Sequence, residues 1–256
     1  MKGLLDGKRI LVTGVATEAS IAFATARAAQ AQGATVVLTA MRRDLDAARE
    51  LADRLPVPPA SVVALDATST ADLGALAASV GPLDGAVHAI AFASQAALRG
   101  IAGVDAADAE VAFRTSVWTY AALADLLAQV APRTGASLVG LDFDARGAWP
   151  VYGWMGVCKA ALEAANRALA RELGPRGIRT NLVAAGPLAT RAATAIPGFE
   201  HLLAHWRAGS PLPWDPDDPG VVADTVCWLL SDGSRATTGS VAYVDGGCSA
   251  ISGVVA

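Results

Sequence analysis

Tyr152 and Lys159 are the two residues whose types and spacing best suit proton or oxyanion chemistry. They lie seven positions apart in the stretch YGWMGVCKA, residues 152–160. Of the 20 lysines and arginines, only Lys2, Lys8 and Lys159 are lysines. Seven residues are about two turns of an α-helix, so both side chains would lie on one helix face. An ammonium near a phenol favours the phenolate, which makes the phenol a better proton donor or oxyanion stabiliser.

An ordinary structural role would also explain this pair. Spacing alone favours an interfacial tyrosine and a solvated lysine. Two observations favour chemistry instead. Lysine is scarce in this chain, and the pair follows the carboxyl end of the fifth predicted strand, the edge where parallel sheets bind ligands. We therefore interpret Tyr152 and Lys159 as site residues.

A glycine turn follows the first predicted strand, in TGVATEASIA, residues 13–22. Gly14 allows a close turn, and Ser20 marks the start of a helix whose N–H groups and dipole suit a pyrophosphate. The G-x-G-x-x-G spacing is absent, so the motif alone predicts only a turn, but its place on the first strand favours nucleotide binding. Asp66, closing the third predicted strand, could accept a hydrogen bond from an adenine amino group or cap the next helix.

These residues are carried by strand and helix patterns that alternate along the chain. Short apolar runs predict seven strands, at 9–14, 35–40, 61–67, 85–92, 136–143, 179–186 and 240–247. Helical patterns lie at 20–34, 44–55, 70–80, 107–130, 153–173 and 219–231. The alternation predicts an α/β fold: a Rossmann-like, doubly wound, parallel seven-stranded sheet with helices on both faces. No linker, repeat or shift of composition divides residues 1–256, so we expect a single domain.

The segment 187–218 is irregular and follows the sixth predicted strand. At helical spacing it places Ile196, Phe199, Leu203 and Trp206 on one apolar face. The segment is either a packed surface helix with its loop or a lid over an apolar substrate. Its place after the carboxyl end of a strand favours a substrate-binding lid.

Composition narrows the class of protein. Apolar residues make up 53% of the chain, and the formal net charge of -4 provides no basic surface for nucleic acid. The three cysteines are far apart and form no CxxC, which is typical of reduced thiols in a cytosol. Neither a signal peptide nor an apolar run long enough to span a membrane is evident. We expect a soluble, cytoplasmic protein with no membrane partner.

Four stretches together resemble the enoyl-acyl-carrier-protein reductases of the short-chain dehydrogenase/reductase superfamily, closest to their actinobacterial branch. They are the first-strand turn with Gly14, Ser20 and Ile21, the segment LDFDARGAWPVYGWMGVCKAALEAANRALARELG with its Y-x6-K spacing, RTNLVAAGPLAT and TTGSVAYVDGG. Ordinary short-chain dehydrogenases carry Y-x3-K and a three-glycine turn instead. The resemblance runs from Gly3 to about Gly247.

The resemblance implies NADH-dependent reduction of the carbon–carbon double bond of a trans-2-enoyl thioester, carried by acyl-carrier protein or CoA, in fatty acid or related biosynthesis. Tyr152 would hydrogen-bond to the enolate oxygen, Lys159 would hold the nicotinamide ribose, and Phe143 would pack beside the substrate. The expected cofactor-binding residues are Gly14, Ser20, Ile21, Met41, Asp66, Ala67, Ile90, Ala91, Lys159, Leu188 and Thr190. With the lid pattern, the expected substrate-binding residues are Tyr152, Met155, Ile196, Phe199, Leu203 and Trp206.

The end of the second predicted strand bears on the choice of cofactor. No acidic residue stands at positions 40–43 to bind the adenosine ribose and repel a 2′-phosphate. Met41 resembles the apolar residue that packs on adenine in NADH-using relatives, whereas Arg42 and Arg43 could hold the 2′-phosphate of NADPH. We expect NADH, with NADPH as the alternative. Glu18 adds a negative charge near the pyrophosphate turn, which is unfavourable if it points inward.

Two alternative functions stay open at this point. A ketoreductase of the same superfamily normally carries a serine thirteen positions before the tyrosine, but that position is Val139, and Ser137 lies within the strand. A non-catalytic dinucleotide-binding sensor would explain the glycine turn and Asp66. It would leave Tyr152 and Lys159 without a purpose.

Two further features concern metals and partners. His201 and His205 have a metal-compatible i, i+4 spacing, but there is no glutamate between them and no evident third ligand, so we expect no metal. The alanine-rich helical face of EAANRALAREL, residues 163–173, could bury against another subunit. Relatives are usually tetramers built on such helices, so we expect a homotetramer.

Overall fold

A single parallel sheet organises the protein. The computed structural model describes residues 2–251; Met1 and 252–256, which the predicted domain includes, lie outside the described residues. Seven strands pair in the order β3-β2-β1-β4-β5-β6-β7. They are β1 Arg9–Val12, β2 Thr35–Ala40, β3 Ser61–Ala64, β4 Gly85–His88, β5 Ala136–Asp142, β6 Ile178–Ala185 and β7 Val241–Val244. The predicted parallel seven-stranded α/β architecture is confirmed.

Helices cover both faces of this sheet. Within residues 2–251 they are α1 Ile21–Ala31, α2 Leu45–Ala52, α3 Thr70–Val80, α4 Gln95–Arg99, α5 Ala106–Phe113, α6 Thr119–Val130, α7 Gly153–Leu173, α8 Arg191–Thr194, α9 Phe199–Gly209 and α10 Gly220–Leu230. None of the helices in this range is long and apolar enough to cross a membrane.

Alternating side chains of the strands build the two layers. In β1, Ile10 and Val12 join a core with α1, α2 and α10, whereas Leu11 joins a core with α3, α6 and α7. All three side chains are fully buried. Burying an aliphatic side chain of this size contributes about 1.5–3 kcal/mol. Because helices cover both faces of the sheet, strand side chains on either face must be apolar, which explains the continuous apolar runs in the sequence.

Several elements differ from the sequence-based expectation. The helix predicted over 107–130 consists of α5, a π-helical turn at Arg114–Trp118, and α6. The short helix α4 was not predicted. The third and fourth strands end at Ala64 and His88, earlier than predicted, because the chain then leaves the sheet: Ala89 N–H bonds to the Thr13 hydroxyl instead of continuing the ladder.

The strand order creates a switch point beside β1. This strand pairs with β2 on one side and β4 on the other, so the connections leaving it and leaving β4 run to opposite sides of the sheet. Parallel strands have all their carboxyl ends along one edge, and ligands of such sheets bind there. Residues of the expected site follow those ends: Gly14 after β1, Met41 after β2, Asp66 after β3, Ile90 after β4, Phe143 after β5 and Leu188 after β6.

Candidate active site

Tyr152 lies at the N-terminal boundary of α7 rather than within the helix. The backbone around it is constrained: φ is 56° at Val151 and 36° at Gly153. A Cβ on Gly153 would lie 2.2 Å from the carbonyl oxygen of Ala97 in α4, so only glycine fits there. This close approach of α7 to α4 fixes where the tyrosine side chain begins.

The phenol of Tyr152 is buried beside Phe143. The ring centroids of the two residues are 4.9 Å apart, and each residue is 8% exposed. Burial raises the pKa of Tyr152 above its ordinary value, and the charge of Asp142 adds to the rise. The hydroxyl therefore keeps its proton at neutral pH. The shift towards the phenolate that the sequence predicted from the lysine is not found, since burial and nearby negative charge raise the pKa of Tyr152 instead.

Lys159 is buried two turns further along α7. Its Nζ donates a hydrogen bond to the carbonyl oxygen of Leu141 at 2.8 Å and lies 3.9 Å from Oδ1 of Asp142. Burial lowers the pKa of Lys159, and the negative charge of Asp142 opposes that effect. Because Phe143 follows the same strand, Tyr152 and Lys159 both pack against the end of β5.

Two buried titratable residues near Lys159 were missed by the sequence reasoning. Burial raises the pKa of Asp142 to about 7, although the charge of Lys159 opposes the rise. Burial and that same charge lower the pKa of His88 to about 3, and its Nε2 lies 2.8 Å from the Thr119 hydroxyl oxygen. The available signal was a single titratable residue within each of the apolar runs GAVHAIAF and ASLVGLDF.

The turn after β1 is built to approach other backbone closely. Gly14 has φ of 77°, and a Cβ there would lie 2.2 Å from the carbonyl oxygen of Ala89, so the turn packs directly on the chain leaving β4. The Ser20 hydroxyl oxygen accepts the Phe23 N–H at 3.1 Å and caps α1, which begins at Ile21. A glycine turn leading to a capped helix N-terminus fits a pyrophosphate.

Glu18, next to this turn, forms an ion pair with Arg54. Its carboxylate is therefore directed to a cation that follows α2 rather than left without a partner near the turn. The unfavourable charge considered from the sequence is offset within the protein.

A cleft of about 400 Å³ lies at the carboxyl ends of β2 and β3, lined by Met41, Arg42, Arg43, Asp66, Ser69 and Asp72. Oδ1 of Asp66 accepts hydrogen bonds from the Thr68 hydroxyl at 2.7 Å and the Thr68 N–H at 2.9 Å. These bonds hold the pKa of Asp66 below its ordinary value. Ser69, not Asp66, caps α3. An apolar Met41 facing an ionised carboxylate across a cleft fits an adenosine.

The arginines of this cleft already have acidic partners. Arg42 lies 3.7 Å from Asp72, and Arg43 lies 3.5 Å from Asp44. Asp44 also accepts a hydrogen bond from Arg191 at 3.2 Å. Positive charge that could hold a 2′-phosphate is thus balanced by carboxylates in or beside the cleft.

The expected nicotinamide end lies after β4 and β6. Ile90 and Ala91 follow β4, and the buried Leu188 follows β6. The Thr190 hydroxyl oxygen accepts the Ala193 N–H at 3.2 Å and caps α8. Ala67, by contrast, is buried next to Asp66 at the adenosine end. The expected cofactor residues therefore follow one edge of the sheet from β3 to β6.

An aromatic wall stands beside Tyr152 and Phe143. Trp206 of α9 packs on Phe143 with ring centroids 5.4 Å apart and on Trp149 at 4.8 Å. Its indole N–H donates to the carbonyl oxygen of Asp245 at 3.1 Å, which fixes the ring. Met155 and Tyr152 belong to the same buried cluster. Trp149 was missed by the sequence reasoning, although an aromatic residue three positions before Tyr152 was visible.

The expected lid residues are not all on one face. Phe199, Leu203 and Trp206 are buried on α9, but Ile196 precedes this helix, because Gly198, with φ of 76°, starts it later than expected. Leu202, which was not predicted, joins Trp206 in the cluster around Tyr152, whereas Phe199 and Leu203 are not members of that cluster. Ile196, which is partly buried, packs against the cluster around Tyr152.

Nothing in the described chain gathers metal ligands. Across residues 2–251, no group of three His, Cys, Asp or Glu side chains could hold a metal ion. His205 instead packs edge-on against Trp149 and Trp206, with centroids 5.4 and 5.6 Å apart.

The sequence matches, at residues 14–249, a family described as "Enoyl-(Acyl carrier protein) reductase". The chain belongs to the enoyl-acyl-carrier-protein reductase family. It is 44% identical to the enoyl-[acyl-carrier-protein] reductase [NADH] of Mycolicibacterium smegmatis, over 97% of this chain and 98% of the relative. The Mycobacterium avium protein of the same name is 43% identical over the same shares, and the Neisseria meningitidis protein 36% identical over 96% of this chain and 97% of its own length. The resemblance stated from the motifs is confirmed.

Family membership agrees with the geometry against a ketoreductase. Val139, at the position of the ketoreductase serine, is fully buried in β5. The Ser137 hydroxyl donates to the carbonyl oxygen of Leu229 in α10 at 2.8 Å, on the face of the sheet that carries α10. Neither residue provides a donor for a substrate carbonyl beside Tyr152.

Proposed function

We propose that this reductase uses NADH to reduce the carbon–carbon double bond of a trans-2-enoyl thioester in fatty acid or related acyl-chain biosynthesis. The observation that carries the proposal is the buried Tyr152–Phe143 pair next to Lys159 at the end of β5. The arrangement combines a protonated phenol, a fixed ammonium and an apolar wall. Reduction of an α,β-unsaturated thioester would use all three: the phenol at the thioester oxygen, the ammonium at the cofactor ribose and the apolar wall to exclude water.

The chemistry divides between the cofactor and these side chains. NADH, when bound, would supply the hydride that the β-carbon of the substrate accepts, and the α-carbon would take a proton from water to complete the reduction. The Tyr152 hydroxyl, which burial keeps protonated, donates a hydrogen bond to the thioester oxygen as negative charge develops there. Phe143 and Trp206 exclude water from that oxygen, which strengthens the hydrogen bond. Lys159 retains two free N–H donors for the ribose of the nicotinamide.

The cofactor would lie along the carboxyl ends of the strands, from β3 to β6. The turn at Gly14 and the capped start of α1 at Ser20 and Ile21 would hold the pyrophosphate, and the Met41–Asp66 cleft would hold the adenosine. Leu188 and Thr190 would border the nicotinamide. The 400 Å³ cleft supports this fit.

The segment 187–218, with α8 and α9, would close over the acyl chain. Its inner side contributes Leu202 and Trp206 to the cluster around Tyr152, and Ile196 lies at the edge of that cluster. The expected substrate residues Phe199 and Leu203 would then stabilise α9 from within rather than touch the substrate. Acyl-carrier protein is the proposed natural carrier, with CoA thioesters as smaller substitutes.

A homotetramer in the cytoplasm completes the proposal. The outer face of α5, the π-helical turn and α7 exposes Val111, Phe113, Trp118 and Val157, each at least 37% accessible. A cleft of about 470 Å³ opens there, lined by Ala109, Glu110, Phe113, Arg114, Trp118 and Trp154. An apolar surface of this kind is typical of a subunit interface. All three cysteines are free thiols, which supports a reducing compartment.

The proposed reaction is tested by following NADH absorbance with two substrates. We expect the purified protein to oxidise NADH with crotonyl-CoA and to ignore acetoacetyl-CoA. Preferential consumption of acetoacetyl-CoA would indicate a ketoreductase. Binding of NADH without consumption of either substrate would indicate a non-catalytic sensor. Tyr152→Phe, assayed in parallel, distinguishes the site from contaminating activity.

A further inference from the structure

Asp142 is a buried carboxylate with an unusual set of neighbours. Its side chain is fully inaccessible, and within residues 2–251 no other side chain forms a hydrogen bond with its carboxylate oxygens. Burying an unpaired carboxylate is among the costliest arrangements in a protein. The nearest opposite charge is the ammonium of Lys159, 3.9 Å from Oδ1. Because burying this carboxylate costs stability, its presence points to a role other than stabilising the fold.

The end of β5 contacts the ammonium at two points. Leu141 offers its carbonyl oxygen at 2.8 Å, and the next residue, Asp142, offers its charge. An ammonium has three N–H donors, so two stay available after the Leu141 bond. Without the carboxylate, the buried ammonium would have only a neutral carbonyl against it. It would then both lose its proton more readily and lose a fixed position.

We propose that Asp142 is a positioning residue for Lys159, holding the ammonium charged and at the end of β5, where it can bind the cofactor ribose. The ribose contact rests on the proposed function, whereas the pairing of the two side chains does not. Asp142 touches neither substrate nor cofactor in this proposal. It acts only through the lysine.

The charge on Asp142 changes within the physiological pH range. Burial raises its pKa to about 7, partly offset by the charge of Lys159 and by a hydrogen bond from the Phe143 backbone, and the charges of Glu163 and Asp144 add to the rise. The other titratable groups influenced by Asp142 are Tyr152, Tyr120 of α6 and Tyr243 of β7, all neutral at this pH. His88 on β4 is neutral as well. Acidification below about pH 7 therefore protonates Asp142 and removes the counter-charge of Lys159.

The scarcity of lysine makes the decisive measurement practicable. Protein labelled with ¹³C at the lysine ε-carbon gives one signal each for Lys2, Lys8 and Lys159, and Lys2→Arg and Lys8→Arg assign them. We expect the Lys159 signal to shift in a step near pH 7 as Asp142 titrates, without substrate or cofactor. In Asp142→Asn the step should vanish, and the pKa of Lys159 should fall. A wild-type Lys159 signal that shows no step at any pH at which the protein stays folded would overturn the proposal, even if no Asp142 variant folds.

Cofactor binding provides the functional readout. Fluorescence titration should show NADH affinity reduced about tenfold in Asp142→Asn, and reduced likewise in the wild-type protein at acidic pH. The double variant Asp142→Asn/Lys159→Ala should bind no worse than Lys159→Ala alone, because Asp142 acts through the lysine. Additive losses in the double variant would contradict the proposal.

A matched control removes another carboxylate at a strand end. Asp84 lies at the opposite edge of the sheet and accepts the Arg9 N–H at 2.8 Å. Asp84→Asn should change thermal stability without altering the Lys159 titration. If enoyl reduction is absent but the Lys159–Asp142 coupling is measured, the proposed function fails and this inference stands. If reduction is present without the coupling, the inference fails alone.

Discussion

At the scale of single residues, Tyr152 and Lys159 are both buried but have different neighbours. Tyr152 is buried against Phe143 and stays protonated, whereas Lys159 is buried with its Nζ on the Leu141 carbonyl oxygen and near the Asp142 carboxylate. A protonated phenol is a hydrogen-bond donor, so its effect should appear in the step that places charge on the substrate oxygen. A buried ammonium is a fixed charge, so its effect should appear in binding as well.

Tyr152→Phe removes the donor and leaves the ring. We expect kcat with crotonyl-CoA to fall about 100-fold, since one oxyanion donor is lost, with little change in NADH affinity. Tyr243→Phe is the control, because that tyrosine is over a third exposed and packs under the Arg146 guanidinium 4.4 Å away. Full kcat in the Tyr152→Phe variant would show that the phenol has no role in the reaction.

Lys159→Ala should weaken both steps. NADH affinity should fall about tenfold, because the ribose loses its cation, and kcat should fall with it. Titration of intrinsic or NADH fluorescence measures the first effect and steady-state kinetics the second. Lys8→Ala is the control, since Lys8 pairs with Asp232 at the opposite edge of the sheet, just before β1 begins. Unchanged NADH affinity in Lys159→Ala would place the lysine elsewhere in the mechanism.

At the scale of elements, the ends of β2 and β3 decide the cofactor. Arg42 and Arg43 could receive a 2′-phosphate, but Asp72 and Asp44 lie 3.7 and 3.5 Å from them. The cleft therefore carries no free excess of positive charge. This balance, and not the presence of arginine alone, agrees with NADH as the cofactor.

Asp72→Asn should release Arg42 towards a phosphate. We expect the KM for NADPH to fall by up to about fivefold while that for NADH hardly changes, since an exposed ion pair is worth at most about 1 kcal/mol. Asp46→Asn, which breaks the exposed Asp46–Arg49 pair on α2, is the matched control. A wild-type KM for NADPH well below that for NADH would reverse the assignment of the cofactor.

The sequence predicted those helices and strands that the local pattern of residues determines. Apolar runs identified every strand, and parallel pairing then placed Gly14, Asp66 and Phe143 on one edge. Elements that depend on distant contacts were not predictable. The start of α7 depends on Gly153 lying against the Ala97 carbonyl of a helix that the sequence did not reveal. The delayed start of α9, which separates Ile196 from its predicted face, depends on a single backbone angle.

The same limit applies to the site. Tyr152 and Lys159 were recognisable because their type and spacing are unusual. Asp142 and Trp149 were not, because their importance follows from what lies opposite them: a lysine from α7 in one case and a tryptophan from α9 in the other. Neither neighbour is visible in the local sequence.

At the scale of the whole molecule, one exposed apolar face remains to be covered. Phe113 and Trp118 lie on it, 47% and 37% accessible, next to the 470 Å³ cleft. We expect light scattering to show a tetramer, and Phe113→Glu to give a smaller species because a charge would be buried at the interface. Val57→Glu, at an equally exposed site next to α2, should leave the assembly unchanged. A wild-type monomer would contradict the expected assembly.

Arg191 and Arg207 flank the lid and could meet an acidic carrier protein. Arg207 is exposed on α9, and Arg191 is exposed although it contacts Asp44. Carrier-bound substrates should therefore exceed their CoA counterparts in kcat/KM at low salt, and the advantage should shrink as salt rises. Arg207→Gln should reduce the advantage, whereas Arg235→Gln, near the loop before β7, should not. An advantage insensitive to salt would exclude an electrostatic contact.

An acyl chain bound under the lid would be limited in length by the room beside Tyr152. Each buried CH₂ contributes about 0.8 kcal/mol, so kcat/KM should rise about fourfold per methylene until the pocket is full. Trp206, fixed by its bond to the Asp245 carbonyl and packed on Trp149, closes one wall close to Tyr152. We therefore expect efficiency to level off at short-to-medium enoyl-CoAs, and Trp206→Ala to move the plateau to longer chains. Trp228→Ala, which removes an indole exposed on α10, should leave the plateau in place. Efficiency that still climbs at hexadecenoyl-CoA in the wild-type enzyme would mean that the pocket is open-ended and that Trp206 does not close it.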